Sequence, residues 1–227
     1  MKQYNILDYG AIADGVTNNA AAIQQAIDEA SAEGGRVVIP QGKYLSGTLV
    51  LKSNIDFHLE KGAVLISSLN QEDIMDFAKL FEDDNACTGW DGGCFLFACH
   101  EENITISGEG VIYGQGDKVF IDDDVDGGAH ECPLSVAAFR PRTTFLEDVT
   151  NLTVRDITIQ DAAFWTLHMA GCHHVRVQDI KILNDVRGAN NDGIDPDCCK
   201  DVLITGCLVK TGDDAIVIKT TKPMTQR

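Results

Sequence analysis

Near the start of the chain, apolar residues recur at spacings of three, four and seven positions, which is typical of one amphipathic helix. The positions are Ile23, Ala26, Ile27 and Ala30. Thr17 and Asn18 before them are residue types that cap helices, and Gly34-Gly35 after them is a stop signal. We therefore predict a single helix over about residues 17–33.

Beyond this helix the pattern changes to short apolar runs. They are rich in Val, Ile and Leu and are separated by Gly, Asn or Asp, as in Arg36–Ile39, Thr48–Leu51 and Ala63–Ile66. Such runs indicate strands joined by turns. The stretch from about 83 to 138 is polar and rich in Gly, and there we predict long irregular loops.

Several of the predicted strands resemble one another. Each opens with a polar residue followed by two apolar residues one position apart. The copies are Asn103-Ile-Thr-Ile, Asn151-Leu-Thr-Val, His174-Val-Arg-Val and Asp201-Val-Leu-Ile, with Asn54-Ile-Asp-Phe as a weaker one. Among the four main copies, the last two intervals are nearly equal and the first is about twice as long. They indicate a repeat of about 24 residues, with two repeats in the first gap.

A repeat of this length without a helix in each period favours one architecture, the parallel β-helix. In that fold each turn of the coil contributes short strands that pair with their equivalents one turn away. We predict an all-β solenoid of this parallel β-helix type over residues 1–227, as one domain. Its opening helix would cap the exposed end of the coil and cover a sheet edge.

Composition and charge limit the classes of partner that the protein can bind. The 227 residues are 44% hydrophobic and carry a net charge of −17, which opposes sequence-independent binding to nucleic acid and would repel a polyanionic sugar. No run of about 18 apolar residues is present, so we expect no membrane partner.

Compartment and cysteine chemistry are predicted from the same chain. The first residues lack the charged-then-apolar order of a signal peptide, which predicts a cytoplasmic protein. None of the eight cysteines forms a Cys-x-x-Cys pair, and we interpret them as buried thiols.

Aligning two repeats on Cys172 and Cys199 predicts a column of side chains. Seven positions earlier stand Trp165 in one turn and Asp192 in the next, and Asp214 matches Asp192 in the turn after. Equivalent positions in a parallel β-helix lie roughly 4.8 Å apart. Two carboxylates so close should raise one pKa well above about 3.9, or share a water or a cation.

Asp213 adds a third acid beside Asp214. Three carboxylates next to an aromatic ring suit sugar chemistry, because one acid can protonate a glycosidic oxygen while a base activates water and the ring stacks on the sugar. Trp165 could instead pack against the coil beside Phe164.

Three further residues have open interpretations. Asn190 is either a ligand-facing amide or a turn residue, and Lys219 either meets a substrate carboxylate or is a solvated residue at a strand end. His168 aligns with Asp195 four positions before the two cysteines, and we expect that these two only pair with each other. Both stay outside the predicted catalytic set.

The aspartate motifs resemble a known family. Asn190-Asn191-Asp192-Gly193-Ile194-Asp195 and Gly212-Asp213-Asp214-Ala215-Ile216 are similar to the first two catalytic motifs of glycoside hydrolase family 28, the polygalacturonase family. Tyr9–Gly15, Pro40–Tyr44 and Phe164–His168 are also similar to it. The resemblance implies a right-handed parallel β-helix and inverting hydrolysis of a pectic polysaccharide, without a cofactor or metal. By motif position, Asp213 would be the general acid, and Asp192 and Asp214 would hold and deprotonate water.

The sequence also departs from that family. The later Gly-His-Gly and Arg-Ile-Lys motifs are missing, and the chain stops at Arg227, about one turn after the aspartate pair. We therefore expect a portion of a longer enzyme. Most members are secreted, which makes an extracellular location the runner-up to a cytoplasmic one.

Two other functions remain open at this point. A pectate lyase or uronan epimerase on the same scaffold would use the acids to hold calcium. A non-catalytic carbohydrate-binding β-helix would bind sugar without turnover.

Overall fold

The structure is a computed structural model, and it describes residues 1–76, 93–122 and 134–221. In chain order the helix and strands are β1 (Lys2–Asn5), β2 (Asp14–Asn18), α1 (Ala20–Glu33), β3 (Gly35–Ile39), β4 (Gly42–Ser46), β5 (Leu49–Val50), β6 (Ile55–Leu59), β7 (Ala63–Ser67), β8 (Cys94–Cys99), β9 (Glu102–Gly108), β10 (Val111–Tyr113), β11 (Phe120–Ile121), β12 (Ser135–Val136), β13 (Arg142–Glu147), β14 (Thr150–Arg155), β15 (Thr158–Gln160), β16 (Leu167–Ala170), β17 (His173–Gln178), β18 (Lys181–Leu183), β19 (Ile194–Asp197), β20 (Lys200–Thr205) and β21 (Leu208–Lys210).

All of these strands except β11 and β12 form three parallel sheets around one core. The first sheet has the order β1-β3-β6-β9-β14-β17-β20, the second β2-β4-β7-β10-β15-β18-β21, and the third β5-β8-β13-β16-β19. From β3 onward the chain visits the first, second and third sheets in turn, so each circuit adds one strand to each. Inward side chains fill the coil with a continuous apolar core. The predicted parallel β-helix is therefore confirmed.

The repeat prediction identifies the strands correctly but gives the wrong number of coils. β9 pairs directly with β14, with Glu102 opposite Thr150, so the long interval between Asn103 and Asn151 is one coil and not two. β6 likewise pairs directly with β9, with Ile55 opposite Ile104. β7 ends at Ser67 and β8 begins at Cys94, and β10 ends at Tyr113 and β13 begins at Arg142, so both coils have a long connection between the second and third sheets. Such insertions cost a coil little because loop closure depends only weakly on loop length.

The prediction of irregular loops over about 83–138 is wrong for its middle part. β8, β9 and β10 lie there, and β11 and β12 form a small antiparallel pair. One of the glycines that suggested loops is needed where two coils approach closely. Gly108, the last residue of β9, has φ +108°, and a Cβ there would lie 2.0 Å from the backbone oxygen of Leu59 in the preceding coil. Residues 83–92 and 123–133 of the predicted loops lie outside the described residues.

The helix covers the start of the coil as predicted, with a later first residue. It begins at Ala20 because residues 14–18 form β2 and pair with β4. The four apolar residues of its predicted inner face, Ile23, Ala26, Ile27 and Ala30, are all fully buried. The helix ends at Gly34, whose φ of 72° favours glycine.

The residues that open the predicted repeats stack at one corner of the coil. All five have φ between 53° and 63°; they are Asn54, Asn103, Asn151, His174 and Asp201. This left-handed conformation is tolerated by Asn and Asp better than by most other residues. Asn103 donates to Asn54 Oδ1 and Asn151 donates to Asn103 Oδ1, both at 2.9 Å. The polar residue that marks each repeat therefore makes the bend at the start of a strand of the first sheet.

The six cysteines in the described part are all free thiols. Cys94 and Cys172 are buried as predicted, whereas Cys99, Cys198, Cys199 and Cys207 are partly exposed. Cys87 and Cys132 lie outside the described residues. No helix in the described part of the chain is long and apolar enough to cross a membrane.

Candidate active site

The predicted column lies where the chain passes from the second sheet into the third. β16 and β19 pair with Leu167 opposite Ile194, and the same register places Trp165 level with Asp192 just before the two strands. A bridge between Ile194 and Ile216 continues the stack and, in the same way, brings Asp214 level with Asp192. The register predicted from the two cysteines is thus confirmed.

Three carboxylates meet at this end of the coil. Asp192, Asp213 and Asp214 each have one oxygen within 4.8 Å of an oxygen of the other two. Asp192 is 3% exposed, whereas Asp213 and Asp214 face solvent. Carboxylate oxygens are the ligands that hard divalent cations prefer, so the cluster could hold a cation as well as a water molecule.

Burial dominates the electrostatics of Asp192. It raises the pKa of this carboxyl above its ordinary value, while the hydrogen bond from Lys219 Nζ to Oδ2, at 2.8 Å, acts to lower it. The nearby Asp213 charge adds a smaller rise. We predicted a raised pKa from crowding of carboxylates, but desolvation is the larger cause. The other oxygen, Oδ1, has no hydrogen-bond partner within the described residues.

Lys219 is an internal partner of the acids. Its side chain is 16% exposed, and Nζ lies 2.8 Å from Asp192 Oδ2 and 3.5 Å from Asp195 Oδ1. Burial acts to lower its pKa, but the two carboxylates outweigh burial and raise the pKa. The interpretation of Lys219 as a solvated residue at a strand end is therefore wrong. Its contact with a substrate carboxylate stays a prediction.

Asp195 is the acid that the sequence reasoning left out. It is completely buried, and neither of its oxygens has a hydrogen bond within the described residues. Burial, and then the charge of Asp192, raises its pKa to about 8. The sequence marked Asp195 through its place in the aspartate motif and its alignment with His168, but neither signal showed that it lies beside Asp192 and Lys219.

His168 pairs with a different aspartate from the one predicted. Its backbone is the register partner of Asp195, but its Nε2 lies 3.4 Å from Asp197 Oδ2. Burial lowers the pKa of His168 to about 4, and the pairing with Asp197 offsets only part of this effect. The imidazole is therefore neutral at pH 7. The sequence alignment identified the backbone neighbours correctly but not the direction of the side chain.

Trp165 has the surroundings of a packed residue. It is 5% exposed and stacks on Phe164 with ring centroids 6.0 Å apart, while the His168 ring lies edge-on to it at 4.7 Å between centroids. Lys219 Nζ is 4.1 Å from the centroid of the Trp165 ring, a cation–π distance. The packing interpretation thus describes the observed contacts, and stacking on a sugar stays a prediction.

Asn190 joins the acid cluster to an arginine that sequence reasoning missed. Asn190 has φ 55°, and its Nδ2 lies 3.5 Å from Asp213 Oδ2. Arg140 donates to Asn190 Oδ1 at 3.0 Å and to the Ala189 carbonyl at 2.6 Å, and it lies over the Phe164 ring at 4.4 Å. Arg140 follows the stretch predicted as loops and has no repeat partner, so no pattern in the sequence marked it.

Comparison with known proteins supplies the family. The model of glycosyl hydrolases family 28 matches residues 33–225, which include all three carboxylates of the cluster. The chain belongs to this family. The resemblance stated from the two aspartate motifs is therefore confirmed.

Similar proteins cover nearly all of the chain. A probable polygalacturonase of Vitis vinifera is 29% identical over 95% of this chain and 44% of its own length, and an exo-poly-alpha-D-galacturonosidase of Dickeya chrysanthemi is 28% identical over 95% and 41%. The crystal structure of an exopolygalacturonase from Thermotoga maritima has a TM-score of 0.78 at 26% identity, over 96% of this chain and 55% of that one. The family 28 chain thus spans less than half the length of these two curated relatives. Like its structural neighbours, it is a right-handed β-helix.

Proposed function

We propose that this family 28 protein hydrolyses O-glycosidic bonds in a pectic, galacturonan-type polysaccharide. One observation carries the proposal: carboxylate oxygens of Asp192, Asp213 and Asp214 lie within 4.8 Å of one another on adjacent coils. The similar proteins named above as polygalacturonase and galacturonosidase support the substrate class.

In this mechanism Asp213 donates a proton to the leaving glycosidic oxygen. Its position supports the role, because it faces solvent and its Oδ1 accepts a hydrogen bond from the backbone N–H of Asp214 at 2.8 Å, which orients the carboxyl group. A positioned acid of this kind typically contributes about 10²–10⁴-fold to the rate.

Asp192 and Asp214 would hold and deprotonate the attacking water. Asp192 suits this role because Lys219 binds one carboxylate oxygen and favours the ionised form, while the other oxygen makes no hydrogen bond within the described residues. A carboxylate oxygen without another hydrogen-bond partner can accept a proton from a water molecule bound beside it.

The stereochemistry is proposed from family membership. Carboxyl groups of inverting enzymes are roughly 6.5–9.5 Å apart, farther than the closest oxygens of this cluster, so spacing does not supply the argument. Inversion of an α-linkage releases the β-anomer first. Proton NMR of the first product, recorded before mutarotation, would test this step.

A polyanionic substrate has to overcome the net charge of −17. Arg140 and Lys219 both lie beside the acid cluster and lower the local negative potential. We propose Asn190, Trp165 and Lys219 as substrate-binding residues, with Lys219 acting through its charge at the margin of the acids. Binding is expected to weaken on the addition of salt if this local field attracts the substrate.

The decisive experiment measures reducing ends released from polygalacturonate by the protein at its full natural length. Asp213→Asn is expected to lower kcat by about 10²–10⁴-fold, because the proton donor is removed. Asp201→Asn is the matched control, since Asp201 is also an exposed aspartate but lies at the start of β20, in the first sheet. An Asp213→Asn protein with the activity of this control would contradict the proposed role.

The same carboxylate oxygens could bind a cation, so a cation-dependent reaction is the other function to test. A lyase or epimerase would need calcium at the acids, so chelation would abolish its activity, and a lyase would form unsaturated products that absorb in the ultraviolet. The hydrolase proposal expects full activity in a chelator and no ultraviolet-absorbing product.

Fractionation of the source cells would decide between the cytoplasmic location and the extracellular alternative.

A further inference from the structure

Asn191, directly before Asp192, has a side chain that binds the neighbouring acidic segment. It is completely buried. Its Oδ1 accepts hydrogen bonds from the backbone N–H groups of Gly212 at 2.8 Å and Asp213 at 3.2 Å, and from Thr211 Oγ1 at 3.0 Å. Its Nδ2 donates to the Asp185 carbonyl at 2.8 Å. One side chain thus holds the segment 211–213 next to the segment that carries Asp192.

The backbone of Asn191 is fixed as well. Its carbonyl accepts a hydrogen bond from Asn184 Nδ2 at 3.0 Å, and it shares the single hydroxyl proton of Thr211 with Asn191 Oδ1. Asn184 is itself anchored in the previous coil, because its Nδ2 donates to Thr166 Oγ1 at 2.8 Å and its Oδ1 accepts from the Ala162 N–H. The position of the Asn191 amide is therefore set by three consecutive coils.

The surroundings of Asn191 leave no room for a larger group. A Cβ on Gly188 would lie 2.2 Å from Asn191 Nδ2, and a Cβ on Gly212 would lie 2.6 Å from the backbone of Gly188. The side-chain amide contacts both a backbone donor and a backbone acceptor. An asparagine satisfies both, because its oxygen accepts a hydrogen bond and its NH2 group donates one. An aspartate would keep the acceptor, lose the donor toward Asp185 and add a negative charge beside Asp213.

We propose that Asn191 is a positioning residue that sets the place of Asp213 relative to Asp192. Asp213 is exposed, and the backbone bond to Asn191 is one of the few contacts that hold it over the buried Asp192. Displacement of an acid by about 1 Å can cost roughly 10²-fold in rate. The catalytic part of this inference rests on the proposed function, whereas the anchoring of the segment does not.

The test compares Asn191→Ala and Asn191→Asp with the unchanged protein at its full natural length. We expect amide hydrogen exchange at Gly212 and Asp213 to become at least about tenfold faster in Asn191→Ala, because both N–H groups lose their acceptor. On polygalacturonate, kcat should fall by about 10–100-fold with KM changed less than about threefold, since Asn191 is buried and does not contact substrate.

Asn191→Asp separates the effect of holding the segment 211–213 in place from the effect of an added negative charge. The carboxylate still accepts from Gly212 and Asp213, so their slow exchange should be kept. Its added charge should lower kcat while this slow exchange is kept, because a like charge then lies beside the proposed proton donor and the bond to the Asp185 carbonyl is lost. This second variant also keeps the proposal testable if Asn191→Ala fails to fold.

Asn19→Ala is the matched control. Asn19 is also a buried asparagine, whose Oδ1 accepts from the Ile12 N–H at 2.6 Å and whose Nδ2 donates to the Thr17 carbonyl at 2.7 Å, at the far end of the coil. It should lower stability without faster exchange at Gly212 or a lower kcat. Unchanged exchange in Asn191→Ala, or a kcat no lower than that of Asn19→Ala, would overturn the proposal. Faster exchange in a protein whose unchanged form has no hydrolase activity would instead refute only the proposed function and the catalytic role that depends on it.

Discussion

The outer face of the third sheet differs between its early and late coils, although the backbone pairing is the same. In one register column β8 and β13 contribute Phe97 and Phe145, whereas β16 and β19 contribute His168 and Asp195. All four strands are parallel and in register. The coils therefore provide equivalent backbone positions. The side chain at each position decides whether it contributes to packing or to a chemical site.

Burial has opposite consequences in the two regions. Phe97 and Phe145 stack with ring centroids 6.1 Å apart, and their burial stabilises the fold. Asp192 and Asp195 are buried in the late coils, where burial disfavours the ionised form and raises both pKa values. Burial of these ionisable groups therefore destabilises the late coils, and the same burial places the groups beside the exposed acids.

Phe145→Ala tests the early coils and should have the largest effect on stability. Phe145 is 1% exposed and also contacts the His168 ring at 4.8 Å, so its loss leaves a cavity. The free energy of unfolding should fall by about 3–5 kcal/mol. Urea denaturation should show the same loss at pH 5 and pH 8, because no ionised group is removed. Phe145→Leu is the control and should lose much less; equal losses in the two variants would contradict tight packing here.

Lys219→Met tests the late coils and should cost about 3 kcal/mol near pH 7. The methionine fills a similar volume but leaves the carboxylate of Asp192 without its cation, and an unpaired buried charge is expensive. Asp195 already holds its proton near pH 7, so it adds little to this loss. The loss should shrink as the pH falls through the raised pKa of Asp192, because the carboxyl then becomes neutral. Lys2→Met removes the exposed ion pair with Glu33 and should change stability little at any pH. A loss in Lys219→Met that does not depend on pH would show that packing, not charge, is what Lys219 contributes.

Asp195→Asn should change the slope of stability with pH. The raised pKa of Asp195, about 8, means that the folded protein holds a proton that the unfolded chain releases near pH 4. The stability linked to this proton is complete below about pH 4 and is lost as the pH rises to about 8, by up to about 1.4 kcal/mol per pH unit. Removing the carboxyl should flatten the curve between pH 4 and pH 8 in thermal denaturation. Identical slopes for the two proteins would mean that Asp195 titrates normally.

The strand pattern, the repeats and the aspartate column could be predicted because each depends on residues close together in the sequence or at a constant offset. Asn103, Asn151, His174 and Asp201 mark equivalent turns, so their spacing predicts the register. The same reasoning miscounted coils, because an excursion between two strands lengthens a repeat without adding a coil. It also assigned β8 to β10 to loops, since glycines that allow close approach of coils look the same as glycines of a flexible segment.

Side-chain partners could be predicted less well. His168 and Asp195 are backbone neighbours, yet His168 contacts Asp197 and Asp195 lies near Lys219. These choices depend on rotamers and on how much water each group loses, which the repeat does not encode. Arg140 was missed because it joins a segment that has no repeat relation to its partners. The hydrogen bonds of Asn191 were missed because the repeat offset predicts neighbouring backbone positions, not which backbone groups a side chain binds.

The sequence by itself determined the β-helix, its capping helix, the family and the stacking of Trp165, Asp192 and Asp214, because a parallel coil converts constant sequence offsets into neighbouring positions. Only the tertiary structure decided which acids are buried, which cation pairs with them and how Asp213 is held above Asp192. Those outcomes arise from desolvation and from hydrogen bonds between coils, and both depend on three-dimensional surroundings that no single repeat contains.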